Sequence, residues 1–260
     1  MKRLLACLCS ALILTATSLS AAEITSISSA INKAGRQRML TQRMLKAYTM
    51  IGISVQKEEA EKQLSSAIAL FDNQLQELMA YAPTEAIRRS LGKVESLWQP
   101  FRATLQLPVD RSHAIELQEN SDELLRASHK VVLQLEDSSG SAYGRLVNIA
   151  GRQRMLTQRI AKFYMLRAWQ FENAEIRSEI EQAKNEFKGA LTELHSAPEN
   201  SPKLQYELLR AEKEWKLLEH GLERNGDELI PLIVSMTSEQ LLTHMNEITF
   251  LYEQLSAVPR

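Results

Sequence analysis

The chain has few of the residues that interrupt helices, since its 260 residues include only 9 glycines and 7 prolines. Apolar residues recur at three- and four-residue spacing, and no long segment alternates apolar and polar residues as a half-buried strand does. This pattern predicts an all-α fold.

Cysteine is confined to the start of the chain, where Cys7 and Cys9 both precede residue 23. The remaining 238 residues can form no disulfide and no cysteine-based metal or redox site. A chain of this length can bury enough apolar surface to fold as one or two domains without such cross-links.

The N-terminus has the pattern of a secretory signal peptide. Lys2 and Arg3 precede an uncharged run over 4–19, and small residues lead to Ala22. The apolar run is shorter than the ~20 residues of a spanning helix. We therefore expect a signal peptide at 1–22, cleavage after Ala22 and a periplasmic protein, with an uncleaved anchor as the alternative.

Positive charge is not in excess. Removing Lys2 and Arg3 changes the formal net charge from −1 to −3. This mild acidity, together with export, argues against a nucleic-acid partner.

One segment of the chain occurs twice. Residues 31–48 and 147–164 are identical at 13 of 18 positions at an offset of 116. Weaker matches at offsets of 115–117 follow, among them the pairs Phe71/Phe187 and Trp98/Trp215. We expect the two tryptophans to anchor equivalent cores. The repeat predicts two domains of one fold, at 23–138 and 139–260, after the signal peptide at 1–22.

Turn-forming residues divide each copy into four segments. The predicted breaks lie at 56–59, 82–84 and 107–110 in the first copy and at 171–174, 201–202 and 225–227 in the second. Ser201 is predicted to cap a helix that begins with Pro202. The linker-like residues 138–141 mark the boundary between copies. The fold class is therefore two tandem antiparallel four-helix bundles related by internal duplication.

The duplicated helix has two distinct faces at 100° per residue. Its apolar face is predicted to line the core and comprises Leu40, Met44, Ala47 and Ile51, or Leu156, Ile160 and Phe163 in the second copy. The opposite face is predicted to point outward, and it comprises Asn32, Gly35, Arg38, Met39, Gln42, Arg43 and Lys46, or Asn148, Gly151, Arg154, Met155, Gln158, Arg159 and Lys162.

The outward face concentrates positive charge. The first window holds five basic residues and the second four, and neither holds an acidic residue. Guanidinium groups beside amides and a glycine suit a small oxyanion, because the planar fork of donors matches its oxygens. Such a face can also be solvated or paired with carboxylates. Its identity in two diverged copies favours binding, whereas the methionines and glycines are expected at helix contacts.

The shared pattern Asn-x-Ala-Gly-x-x-Arg-Met-x-x-x-Arg resembles the P-box of NarX-type nitrate/nitrite sensor kinases. Its longer form, Ala-Gly-Arg-Gln-Arg-Met-Leu-Thr-Gln-Arg, resembles the PilJ-type domain of chemotaxis transducers, the N-terminal domain of type IV pili methyl-accepting transducers. In those receptors two P-box helices from two subunits bind one nitrate or nitrite between them. The resemblance therefore implies that Arg38 and Arg154 are the principal ligands, that Gly35 and Gly151 line the contact, and that second-tier ligands are Arg43, Arg159, Gln42 and Gln158.

The chain departs from those receptors because both P-boxes lie in one sequence that shows no second membrane span and no signalling domain. The two motif helices are expected to form a pseudo-dimer within one chain, with a homodimer left open. A membrane receptor or transporter is the expected partner. No cofactor is expected, and the scattered histidines predict neither a metal site nor an enzyme. The alternative function is a ligand-independent helical module that pairs its P-box face with a PilJ-type or NarX-type receptor.

Overall fold

The computed structural model describes residues 24–171, 174–224 and 229–256, and these ranges contain eight α-helices and no strand. The first copy supplies α1 Ile27–Gly52, α2 Lys57–Tyr81, α3 Glu85–Leu105 and α4 Arg111–Ser139. The second supplies α5 Ala142–Ala168, α6 Ala174–His195, α7 Pro202–Leu222 and α8 Pro231–Ser256. The predicted all-α fold of two tandem four-helix bundles is confirmed. The predicted signal peptide at 1–22 and the predicted break at 225–227 lie outside the described residues.

Polar side chains fix where several helices begin. In five helices the side chain of the preceding residue accepts a hydrogen bond from a backbone N–H three residues on, and these caps are Ser26, Thr84, Asp110, Ser141 and Ser201. Each cap satisfies an N–H group that the helix itself leaves unpaired, which is worth about 1 kcal/mol. The predicted start at Ser201 and Pro202 is found as expected.

The connection between the two copies is tighter than the predicted linker at 138–141. Ser138 and Ser139 belong to the last turn of α4, and only Gly140 and Ser141 separate α4 from α5. Gly140 ends α4 with a φ of 57°, a left-handed conformation that costs glycine little. The second motif helix therefore starts immediately after the first bundle ends.

The two bundles pack together through their motif helices. In the first copy α1 contacts α2 and α4, in the second α5 contacts α6 and α8, and α1 also packs directly against α5. The pair runs parallel, because Gly35 lies opposite Gly151 and Gly52, farther along α1, lies against Trp169 at the end of α5. Among the described residues no helix is long and apolar enough to cross a membrane.

Each bundle is anchored by a tryptophan at the equivalent position, as the sequence predicts. Trp98 stacks on Phe71 with ring centroids 4.1 Å apart, and Trp215 stacks on Phe187 at 4.2 Å. Both tryptophans are buried. The duplicated core thus holds α1 and α5 in equivalent settings.

Candidate anion-binding site between the two motif helices

The charged face of each motif helix is buried, which corrects the prediction that it points outward from the structure. Arg38 is 1% exposed, and Gln42 and Lys46 are fully buried, as are their equivalents Arg154, Gln158 and Lys162. The other bundle covers much of this face, and Arg38 and Arg154 also contact α4 and α8 of their own copies. Periodicity identified the face correctly, whereas a single bundle does not reveal that the second one packs on it.

Arg38 and Arg154 converge where α1 and α5 approach most closely. A Cβ atom placed on Gly35 would lie 3.3 Å from Nη2 of Arg38, 3.4 Å from Nη2 of Arg154 and 4.0 Å from the Cα of Gly151. Long helical side chains lean towards the N-terminus, so an arginine three residues after a glycine returns to the level of that glycine. The missing Cβ atoms leave the room in which both guanidinium groups meet.

The neighbours that hold Arg38 are neutral. Its Nη1 lies 3.0 Å from Nδ1 of His129 in α4, and its Nη2 donates to Oδ1 of Asn148 at 2.8 Å. Asn148 in turn donates its amide to Glu136. The carboxylate of Glu136 therefore acts on Arg38 through an intervening amide and not by direct contact.

Arg154 has a related but different set of contacts. Its Nη2 donates to the backbone oxygen of Asn32 at 3.1 Å, and its Nη1 donates to Oδ1 of Asn246 in α8 at 3.4 Å. The amide of Asn32 donates to Glu253. Both arginines are thus tied to the opposite copy by an asparagine that is itself bonded to a glutamate.

The electrostatics of this arginine pair are unfavourable without an anion. No carboxylate among the described residues lies within ion-pair distance of either guanidinium group, and the Nε of each is buried without a hydrogen-bond partner. Burial, with repulsion from Arg152, lowers the pKa of Arg38 to about 9. Burial, then repulsion from Arg36 and Arg38, lowers the pKa of Arg154 well below its ordinary value. Two like charges therefore share one buried site.

The last helix of each copy contacts both motif helices, its own through the first pair of residues below and that of the other copy through the second and third pairs. Three pairs of residues at an offset of 117 take equivalent places: His129 and Asn246 beside the arginines, Glu136 and Glu253 beside the asparagines, and Asp122 and Glu239 beside the basic residues farther along. His129 and Asn246 are not among the predicted site residues, because they lie outside the motif helices and differ between the copies. The recurring acids at that offset were the available signal.

The second-tier candidates occupy other positions. Arg43 pairs with Glu239 at 2.6 Å, and Arg159 pairs with Glu179 at 2.5 Å and Asp122 at 3.4 Å. Their charge is already balanced. Gln42 and Gln158 are buried in the faces that α1 and α5 turn towards the other copy, but no contact joins them to either arginine in the described structure.

Two clefts flank the arginine pair at equivalent places. One, of about 310 Å³, lies between α4, α5 and α6, and its wall includes Arg38 and His129. The other, of about 530 Å³, lies between α1, α2 and α8, and its wall includes Met39 and Asn246. We name them the Arg38 cleft and the Asn246 cleft. A small anion fits within either volume.

The histidines do not assemble into a metal site in the described part of the chain, where no cluster of three or more metal-ligating side chains occurs. His244 lies 2.9 Å from Glu207, and His220 lies 3.5 Å from Glu223 on an exposed surface. The charged side chains buried between the motif helices are arginines and lysines.

Each copy of the repeat matches the same protein family. The family model PilJ, described as the N-terminal domain of type IV pili methyl-accepting chemotaxis transducers, matches residues 20–130 and again 137–245. No curated protein and no solved structure matches the chain. Because the two matches cover most of the sequence and each includes one motif helix, the chain belongs to the PilJ family as a tandem of two such domains.

Proposed function

We propose that this protein is an exported, periplasmic binding or sensing protein that holds one nitrate or nitrite between α1 and α5. The observation that carries the proposal is the arginine pair, Arg38 and Arg154, buried at the contact of Gly35 and Gly151 with only neutral hydrogen-bond partners among the described residues.

The energetic argument starts from the cost of burying charge. A charged group away from water is unfavourable unless an opposite charge or several hydrogen bonds compensate it. Two unit charges 4 Å apart interact by about 4 kcal/mol at an effective dielectric constant of 20. Within the arginine pair that interaction is repulsive, and a monoanion between the two groups adds two attractive interactions of similar size. A bound anion would therefore offset the repulsion between the two arginines.

The donors also suit a small planar oxyanion. Each guanidinium group is planar, and each keeps a buried Nε–H that no described residue accepts. Nitrate and nitrite present oxygens in one plane, which such donor forks match. A larger anion would need more space than two crossing helices leave at a glycine contact, where a Cβ on Gly35 would already lie 4.0 Å from the Cα of Gly151.

The tandem arrangement supports one site in each chain. One arginine comes from each copy, and each is held by residues of the opposite copy. The receptors that the motif resembles bring two subunits together for this purpose. Here the duplication supplies both halves, so the proposed site needs no second chain.

The test is thermal unfolding of residues 23–260 in nitrate, nitrite, chloride and sulfate at constant ionic strength. Nitrate or nitrite at 100 times its dissociation constant should stabilise the native state by about 2.7 kcal/mol. The variant Arg38→Gln plus Arg154→Gln should lose this gain. The matched control is Arg43→Gln plus Arg159→Gln, which removes the same charge from duplicated positions and should retain it. An equal loss in both variants, or no gain in the wild type, would reject the proposal.

A ligand-independent interaction module is the second candidate, and one surface favours it. The second copy exposes apolar side chains on α7 and α8, among them Tyr206, Leu209 and Ile233. The first copy has Arg89, Gly92 and Glu116 at the equivalent positions. The P-box face itself is buried within the chain, so a receptor would have to dock elsewhere. Binding of a purified PilJ-type receptor domain at equal affinity with and without nitrate would favour this candidate.

A further inference from the structure

The two clefts beside the arginine pair are equivalent by duplication but differ in what they reach. The Arg38 cleft has the guanidinium side chain of Arg38 in its wall, next to His129. The wall of the Asn246 cleft contains Asn246 but not Arg154 among its described residues. Only the first cleft therefore connects directly with a proposed anion ligand.

The cations of the Arg38 cleft divide into paired and unpaired groups. Arg152 pairs with Glu186 at 2.6 Å, and Arg159 pairs with Glu179 and Asp122. Arg126, one turn before His129 on α4, lines the cleft and makes no ion pair or hydrogen bond with the described residues. Its equivalent in the second copy is Thr243. The Asn246 cleft has an exposed cation of its own, Lys62, which makes no ion pair with the described residues, but Arg154 does not line that cleft. Only in the Arg38 cleft does such a cation share the wall with an arginine of the inner pair.

His129 lies between Arg126 and Arg38, and its neutral ring does not repel an anion. Since an arginine can only donate, the contact of 3.0 Å between Nη1 of Arg38 and Nδ1 of His129 requires that Nδ1 accept. The proton of the neutral ring then lies on Nε2. The passage from the cleft to the arginine pair is bordered by a neutral ring with one donor.

We propose that the anion enters and leaves the arginine pair through the Arg38 cleft, and that Arg126 is the outer residue that first attracts it. This inference rests on the proposed function, because it describes the path to that same site. It assigns the two copies different tasks: both supply an inner ligand, but only one side admits the anion. A path lined by fixed positive charge raises the local anion concentration and the association rate.

The test is NMR relaxation dispersion on the backbone amides of Gly35 and Gly151 during a nitrate titration, which yields association and dissociation rates. Gln182 on α6 and Ser66 on α2 are exposed and line the Arg38 cleft and the Asn246 cleft, respectively. Gln182→Trp should slow association and dissociation together by about tenfold and leave the Kd unchanged, because an obstructed path does not alter the end states. Ser66→Trp should leave both rates unchanged.

A charge reversal provides the second arm. Arg126→Glu should reduce the association rate by about tenfold and more steeply at low salt. Lys62→Glu makes the same change of charge in the Asn246 cleft and should alter the rate by less than about twofold. If nitrate still binds but the two tryptophan variants have equal rates, the proposed route is wrong. Equal effects of the two charge reversals would overturn it in the same way. Absence of nitrate binding by the wild type would overturn the proposed function and the route together.

Discussion

The two copies carry the same lysine in two different settings. Lys46 and Lys162 are both fully buried on the faces that α1 and α5 turn towards the other copy. Lys46 makes an ion pair with Glu239 of α8. Lys162 has no hydrogen-bond partner for its Nζ among the described residues, and this atom lies 3.9 Å from the centroid of the Phe163 ring. Duplication therefore preserved the residue without preserving its partner.

The cause of this difference lies in the opposing helices. Asp122 takes the place of Glu239 but is one methylene shorter, and it contacts Arg159. Arg159 is also held by Glu179, where the first copy has Gln63. Asp122 and Glu179 therefore both pair with Arg159 and not with Lys162. The comparison teaches that each copy supplies one arginine to the inner pair, whereas only the first copy's buried lysine has a carboxylate partner among the described residues.

The largest expected effect comes from removing the two lysines separately. Burial lowers the pKa of Lys162 to about 7, with repulsion from Arg159 as the next cause. Unfolding restores its ordinary value of 10.5, so the unfolded chain binds more protons between those values and stability rises with pH across that window. Lys162→Met should therefore stabilise the protein by roughly 4 kcal/mol at pH 7 and by little at pH 10.5.

Lys46→Met is the matched variant and should have the opposite sign. It removes one partner of Glu239, which keeps Arg43, so a loss of about 1–2 kcal/mol is expected at pH 7. Urea unfolding at pH 7 and pH 10.5 measures both variants. Effects of the same sign in the two lysine variants would contradict the difference between the copies.

A second pair of variants compares the two bundle cores. Nε1 of Trp98 donates to Asp72 at 2.6 Å. Nε1 of Trp215 is buried and has no hydrogen-bond partner in the described part of the chain, since Lys188 replaces the aspartate. Trp98→Phe should therefore destabilise the protein by about 1–2 kcal/mol more than Trp215→Phe does. The same urea titrations decide this, and equal losses would show that the hydrogen bond to Asp72 contributes nothing.

The smallest expected effect on stability comes from the glycines between the arginines. A Cβ on Gly151 would lie 3.2 Å from Nη2 of Arg154, so a methyl group displaces the end of a flexible side chain without meeting backbone. Gly35→Ala plus Gly151→Ala should change stability by less than about 1 kcal/mol, because alanine also favours the helix. Nitrate affinity should nevertheless fall by about tenfold or more. Calorimetry measures this affinity, and an unchanged value would place the anion elsewhere.

Much of the fold was predictable from the sequence, because helix periodicity, caps and a repeat are local or internal signals. The glycine and arginine of each motif could be singled out because they recur in diverged copies. The burial of Arg38 and Arg154 could not be predicted, since the periodicity of one helix distinguishes its two faces but does not show what covers the second. The contacts of His129 and Asn246 could not be predicted either, since they depend on how α4 and α8 pack against the motif helix of their own copy. Lys162 lacks a carboxylate partner among the described residues because Asp122 is short and, like Glu179, pairs with Arg159, which the sequence does not reveal.

The measurement that tests the central claim most directly is the stoichiometry of nitrate binding by isothermal titration calorimetry, for the wild type and for Arg38→Gln and Arg154→Gln singly. A site shared between the copies predicts one anion per chain and at least a hundredfold weaker binding in each single variant, since either change removes about half of the charge that holds the anion. Two anions per chain, or single variants that each keep half of the wild-type stoichiometry at full affinity, would show two independent sites and contradict the account.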